Sequence, residues 1–189
     1  MLTLLARHYR VTGVDLSSAM LTIAREKIPN VPLLRQDISK LRVSGEFDVI
    51  ICIFDTMNHL TRFEQWREVF RRARKALAPG GVFIFDVNTI RKIDLYSSEP
   101  PHAEVHRDAI CIFDVVRTRG DRYRLDLRLL KRTGGRTFIL SEASVPGLAV
   151  QTSRIVAAAK QEFRTVSLFD PERKKPSPDT EELYFICSK

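Results

Sequence analysis

"RVTGVDLSSAML", residues 10–21, decides how the rest of the chain is read. A β-branched run ends in an acid, Asp15, and a serine pair then opens a helical spacing. Ser17 is the expected N-cap of a helix over Ser18–Ile28, with Met20, Ile23, Ala24 and the stem of Lys27 on one face, and Pro29 stops it. Strand, acid and helix within twelve residues form the junction at which open α/β sheets hold a ribose. Here no glycine-rich phosphate loop precedes the acid.

Working outward, residues 2–9 read as the tail of a helix and 11–15 as a strand. "VPLLRQD" (31–37) is a second strand ending in an acid. "EFDVIICIF" (46–54) is apolar throughout, the pattern of a strand buried on both faces of a parallel sheet. "TRFEQWREVFRRARKAL" (61–77) is a helix with Thr61 and Glu64 as a capping box and a stripe of Phe63, Trp66, Val69, Phe70, Ala73 and Leu77. Its arginine-rich face, with Glu64 and Glu68 interleaved, reads as a solvated surface. "APGG" (78–81) ends that helix and "VFIFDV" (82–87) is the next strand. From about 108 the pattern changes to hairpins around Gly120 and the 134–135 glycine pair. A helix near 151–160 and strands at 163–169 and 182–188 close the chain. The expected class is α/β: one domain over 1–189, a mostly parallel three-layer sheet with an antiparallel last strand, and an antiparallel insertion at 95–150.

The length suits one domain with a substantial core. The formal charge of +8 is spread evenly: residues 1–95 carry 15 basic and 10 acidic side chains, the remainder 16 and 13. That argues against a nucleic-acid tract, which clusters its charge. Cys52, Cys111 and Cys187 lie in apolar runs without C-x-x-C spacing and read as reduced core residues of a cytoplasmic protein. The longest apolar run, "VIICIF" (49–54), is too short to cross a membrane.

Five stretches, "VTGVDLSSAML", "LLRQDISKL", "EFDVIICIFDTMNHL", "FRRARKALAPGGVFIFDVNT" and "ELYFICSK", resemble in order and spacing the class I S-adenosylmethionine-dependent methyltransferases of the small-molecule type. The resemblance implies a Rossmann-like methyltransferase fold and S-adenosyl-L-methionine as cofactor. It makes Asp15 the acceptor of the ribose hydroxyls, with Leu16 along the adenine. Asp37 would accept from the adenine amino group and Ile38 pack on the ring. Phe54 and Asp55 follow the strand where the cofactor's methionine end and the substrate meet. Taken singly, each acid also reads as a loop or helix cap. The family's first strand and glycine-rich loop have no counterpart before "LTLLARHYR", so the chain is expected to be N-terminally incomplete and weak in cofactor binding.

Methyl transfer is an in-line displacement in which alignment dominates and a strong base is optional. Candidates at the mouth are His59 as base, Asn58 as an orienting amide, and Asp86; a structural role for His59 and Asn58 stays open. "PPHAEVH" places His102 and His106 four apart, but with no third ligand it reads as a mobile lid and no metal is expected. The insertion reads as a substrate cover or a homodimer edge. The partner expected is a small-molecule methyl acceptor. Two other readings compete: a non-catalytic methyltransferase-like remnant that binds another protein, and a nicotinamide-dependent oxidoreductase, disfavoured by the closing antiparallel pair.

Overall fold

The computed structural model describes all residues, Met1–Lys189. Helix α1 (Leu2–Leu5) is a single turn, shorter than the helix tail expected over 2–9. Strands β1 (Gly13–Asp15) and β2 (Leu33–Arg35) pair in parallel, joined by helix α2 (Ser18–Lys27). Ser17 caps α2 as the sequence predicts, its Oγ accepting from Met20 N–H at 3.3 Å. The buried face of α2 differs from the expected one, because Leu21 is buried while Met20 and Ile23 are exposed.

Strand β3 (Phe47–Cys52), helix α3 (Phe63–Ala76) and strand β4 (Leu77–Asn88) follow. The strand expected at 82–87 runs on through "APGG" instead of following a turn. Between Phe47↔Leu77 and Val49↔Val82 the register shifts, and Gly80 takes a φ of 77° in that bulge. Helix α3 starts one residue later than its predicted capping box. Arg62 is the N-cap residue, and its N–H donates to Gln65 Oε1 at 3.1 Å.

Helix α4 (Ile90–Ser98), unforeseen in the sequence, leads into an antiparallel sheet of β5 (His102–Val105), β6 (Ala109–Arg117), β7 (Arg122–Gly134) and β8 (Thr137–Leu148) in order β5-β6-β7-β8. The segment read as a mobile lid is thus a strand, with His102 between the rings of Tyr96 and Phe113 at 4.8 and 5.4 Å. His102 and His106 face different carboxylates, Glu99 and Glu104. Helix α5 (Thr152–Ala159) returns the chain to the core, where β9 (Thr165–Phe169) and β10 (Glu182–Ser188) finish the sheet β3-β4-β10-β9 with antiparallel pairings, as expected.

The core lies between this sheet and helices α3 and α5. Twenty residues form one buried cluster, in which Phe85 and Phe185 stack at 4.6 Å and Phe83 and Phe85 at 5.1 Å. Trp66 is fully buried and satisfies its indole N–H on Leu60 O at 3.1 Å. The polar face of α3 is not wholly solvated. Arg72 donates to Ser39 O and Leu41 O at 2.8 and 3.0 Å, and Arg74 to Glu162 O at 3.0 Å. Arg72→Ala is expected to cost about 1–2 kcal/mol, since it strips donors from two half-buried carbonyls. Urea unfolding measures this, and a midpoint equal to wild type would show the contacts to be idle.

The parallel sheet is divided. β1 and β2 form a two-stranded piece that is not hydrogen-bonded to β3. Between the pieces lies an apolar cleft of about 540 Å³, lined by Gly13 and Val14 of β1 and by Val49, Ile50 and Ile51 of β3, with Leu21, Ala24, Val69 and Ala73 from the helices. This corrects the reading of 46–54 as a strand buried on both faces: Val49 is 50% and Ile51 38% exposed, because β4 alone pairs with β3. No helix is long and apolar enough to cross a membrane.

Candidate functional site

The two acids read from the sequence share one edge. Asp15 ends β1 opposite Arg35 of β2, and Gln36 N–H donates to Asp15 O at 3.1 Å, so Asp37 begins the loop directly beyond the neighbouring strand end. Each carboxylate caps its own loop with one oxygen: Asp15 Oδ1 accepts from Ser17 N–H at 2.8 Å, and Asp37 Oδ1 accepts from Ser39 N–H and Oγ at 2.8 and 2.7 Å. The capping and ligand-binding readings of these acids are therefore compatible, because the second oxygen of each accepts nothing from the chain. Leu16 is exposed beside them. Ile38 is half-buried, packs against the main core, and with Asp15 and Phe54 reaches the rim of the cleft.

Past the end of β3 the backbone takes an uncommon form. Phe54 and Asp55 both lie in the left-handed region, at φ 63° and 59°. Neither is glycine, so each conformation costs about 1–2 kcal/mol. Asp86, buried on β4, holds the turn: its Oδ2 accepts from Phe54 N–H at 2.9 Å and its Oδ1 from Asp55 N–H at 3.2 Å. Phe54 as a result stands 74% exposed. Burial pushes the Asp86 carboxyl up to about 6; the Phe54 amide opposes that shift, while Asp55 adds to it. Burial, aided by Asp86, likewise pushes the Cys52 thiol up to about 12.

The two polar residues that follow separate. His59 is exposed, its N–H donating to Asp55 O at 3.3 Å. Asn58 is completely buried, and its Nδ2 donates to Asn88 O and Leu148 O, both at 3.1 Å, while its Oδ1 accepts from Asn88 N–H at 2.9 Å. Both amide hydrogens are committed to the joint between core and insertion, so Asn58 has none left to orient an acceptor.

Tyr123 of β7, which the sequence shows only as one member of an alternating apolar face, is buried in a small cluster with Ile93, Val115 and Ala149. Its phenol is raised above its ordinary value by burial and by Asp55. The ring closes on Gly147, its register partner on β8, where an added Cβ would come within 2.3 Å of it. A tyrosine paired with a glycine is the signal that could have found it.

An S-adenosylmethionine-dependent methyltransferase from Clostridium acetobutylicum ATCC 824 superposes with a TM-score of 0.87 at 22% identity, covering 98% of this chain and 77% of that one. The fold is that of the class I S-adenosylmethionine-dependent methyltransferases. Within this methyltransferase fold, residues 1–81 match the family model of a methyltransferase domain. Among curated relatives, the dTDP-4-amino-2,3,4,6-tetradeoxy-D-glucose N,N-dimethyltransferase of Saccharopolyspora spinosa is 36% identical over 81 residues, 43% of this chain and 32% of its own length. The dTDP-3-amino-3,4,6-trideoxy-alpha-D-glucopyranose N,N-dimethyltransferase of Streptomyces venezuelae is 28% identical over 74 residues, 39% of this chain and 31% of its own. The chain spans about a third of the length of the curated relatives it matches. The side chains present fit an adenosine: two acids on one strand edge, each with an unengaged oxygen, beside apolar Leu16 and Ile38.

Proposed function

We propose that this chain belongs to an S-adenosylmethionine-dependent methyltransferase that acts on the amino group of a small molecule. The observation that carries the reading is the juxtaposition of Asp15 and Asp37 on one edge of a parallel pair. The amino-sugar dimethyltransferases among the relatives favour nitrogen as the acceptor. When bound, the cofactor supplies an activated methyl group on a sulfonium. Asp15 would accept from the ribose diol with its free oxygen, Asp37 from the adenine amino group, and Ile38 and Leu16 would cover the ring. Phe54 and Asp55 stand at the end of β3, where the acceptor would meet the methyl donor, and Asp55 offers a negative charge to an ammonium. His59, exposed beside Asp55, would take up the proton that the methylated ammonium releases. The sheet β5–β8 acts as the cover over the acceptor. Three free thiols suit a cytoplasmic setting.

Asp15→Asn tests this reading. It replaces a charged acceptor by a neutral one, and affinity for S-adenosylmethionine is expected to fall roughly 10- to 100-fold, as loss of a charge-assisted hydrogen bond does. Calorimetry on the unmutated and mutated chains reads it, with methyl transfer to a dTDP-linked amino sugar as the companion assay. Equal affinity in both would remove Asp15 from the site.

A further inference from the structure

We propose that Asp86 is the positioning residue of this site: by accepting from both amides of the Phe54–Asp55 pair, it fixes the backbone that presents those two side chains at the end of β3. The inference rests on the methyltransferase reading above for what the two residues do, and on geometry alone for how they are held.

Two adjacent non-glycine residues in the left-handed region persist only where their surroundings over-determine them. Here the over-determining contact is one carboxylate taking two amides, at 2.9 and 3.2 Å. Thr56 closes the same turn by donating its Oγ1 to Ile53 O at 2.9 Å, and Asp55 O accepts from His59 N–H at 3.3 Å. The turn is thus built from four hydrogen bonds, and of these four only the two to Asp86 come from outside the loop. An aromatic residue is thereby kept 74% exposed at a sheet edge, an arrangement that packing would not choose.

Asp86 itself is badly placed for stability. It is a buried acid with no cationic partner, and the titratable groups around it are Cys52 on β3, Asp55 on the turn, and Glu182 and Tyr184 on β10. Its carboxyl is raised in the folded state, so its ionised form costs stability at neutral pH, and that cost is relieved as pH falls through about 6. A residue that lowers stability while holding a strained turn is one that the site needs and the core does not.

The test uses the 189-residue chain and Asp86→Asn, whose amide offers one acceptor and turns an N–H toward the other backbone N–H. Amide hydrogen exchange at Phe54 and Asp55 is expected to quicken at least tenfold, with the core amides of β4 and β10 unchanged. In the unmutated chain the two amide resonances should move together as pH falls, with a midpoint near 6, and in the variant this titration should vanish. S-Adenosylmethionine serves as the binding probe. Its affinity for the unmutated chain should weaken below pH 6, and the variant should bind at least tenfold more weakly with no such pH profile. Unchanged exchange at both amides overturns the proposal, as does a variant that binds the cofactor like wild type. Should the variant fail to fold, the titration of the unmutated chain decides, and two amides that do not titrate together overturn the role. The unmutated chain is expected to bind S-adenosylmethionine weakly; where that binding is too weak to read, the exchange measurement judges Asp86 by itself, and the absence of any shift at the Asp15 and Asp37 amides at saturating S-adenosylmethionine is what overturns the functional reading.

Discussion

Asn58→Leu is expected to lower Tm by roughly 10 °C, with a stability loss of about 3–5 kcal/mol. The substitution keeps the branched shape and the number of heavy atoms and removes the amide, leaving Asn88 O, Leu148 O and Asn88 N–H buried without their side-chain partner. Each such group costs about 1–3 kcal/mol, and for a domain of this size each kcal/mol moves Tm by about 2–4 °C. Leu148 N–H also donates to Asn58 O at 2.8 Å, so the joint is held from backbone and side chain together. Circular dichroism melts of the two chains make the comparison. A Tm shift under about 2 °C would show that water or a rearranged loop satisfies the three groups, and the residue would become available again as a candidate for chemistry.

The second large effect concerns the cleft between β1 and β3. An apolar strand of about six residues, fused ahead of Met1 through a short turn, is expected to raise Tm by 10 °C or more. Met1 and Leu2 already line the cleft, so an added segment enters it directly, and strand, α1 and β1 then form a parallel crossover unit of the usual right hand. Both free strand edges would gain backbone partners. Removing on the order of 600 Å² of apolar surface from water contributes about 15 kcal/mol at 25 cal/mol per Å². Ordering six residues costs about 9 kcal/mol, which leaves a net gain of about 6 kcal/mol. Thermal melts, with exchange protection of the β3 amides, would show it. A fused chain that melts with the parent, its Val49 and Ile51 amides still open, would mean that the two half-sheets close on each other instead.

The segments most legible in the sequence are those whose local chemistry and tertiary setting agree. Ser17 at the head of α2, and the alternating strands β7 and β10, stand where pattern and turn residues put them. The acids at 15 and 37 were legible because a strand followed by a capping acid is a local signal. The errors arise where long-range pairing decides. "VIICIF" reads as a strand buried on both faces, yet its burial depends on a neighbour that β1 does not supply. "APGG" has the composition of a helix stop, but β3 runs alongside and turns it into a bulged strand. Asn58 reads as a polar residue near a mouth; only a contact ninety residues away, at Leu148, shows that it is a staple. Helix α4 carries its own cap, Thr89 Oγ1 accepting from Lys92 N–H at 3.2 Å, but has a single buried residue, Ile93, and so no clear apolar stripe. Tyr123 is buried with Ile93, Val115 and Ala149 through packing between the inserted sheet and helix α4, which no local spacing encodes.

The buried amide of Asn58 grips both ends of one excursion: Asn88, where the chain leaves the core, and Leu148, where it comes back. The stretch from α4 through β8 is therefore pinned at both its ends by one side chain, like a cassette whose two leads are soldered to one terminal. Leu148 is the one residue of the cassette in the main core cluster, so hairpins of other shapes and charges can be grafted between the same two ends. On the proposed function, acceptor preference would then change while the edge that carries Asp15 and Asp37 stays as it is.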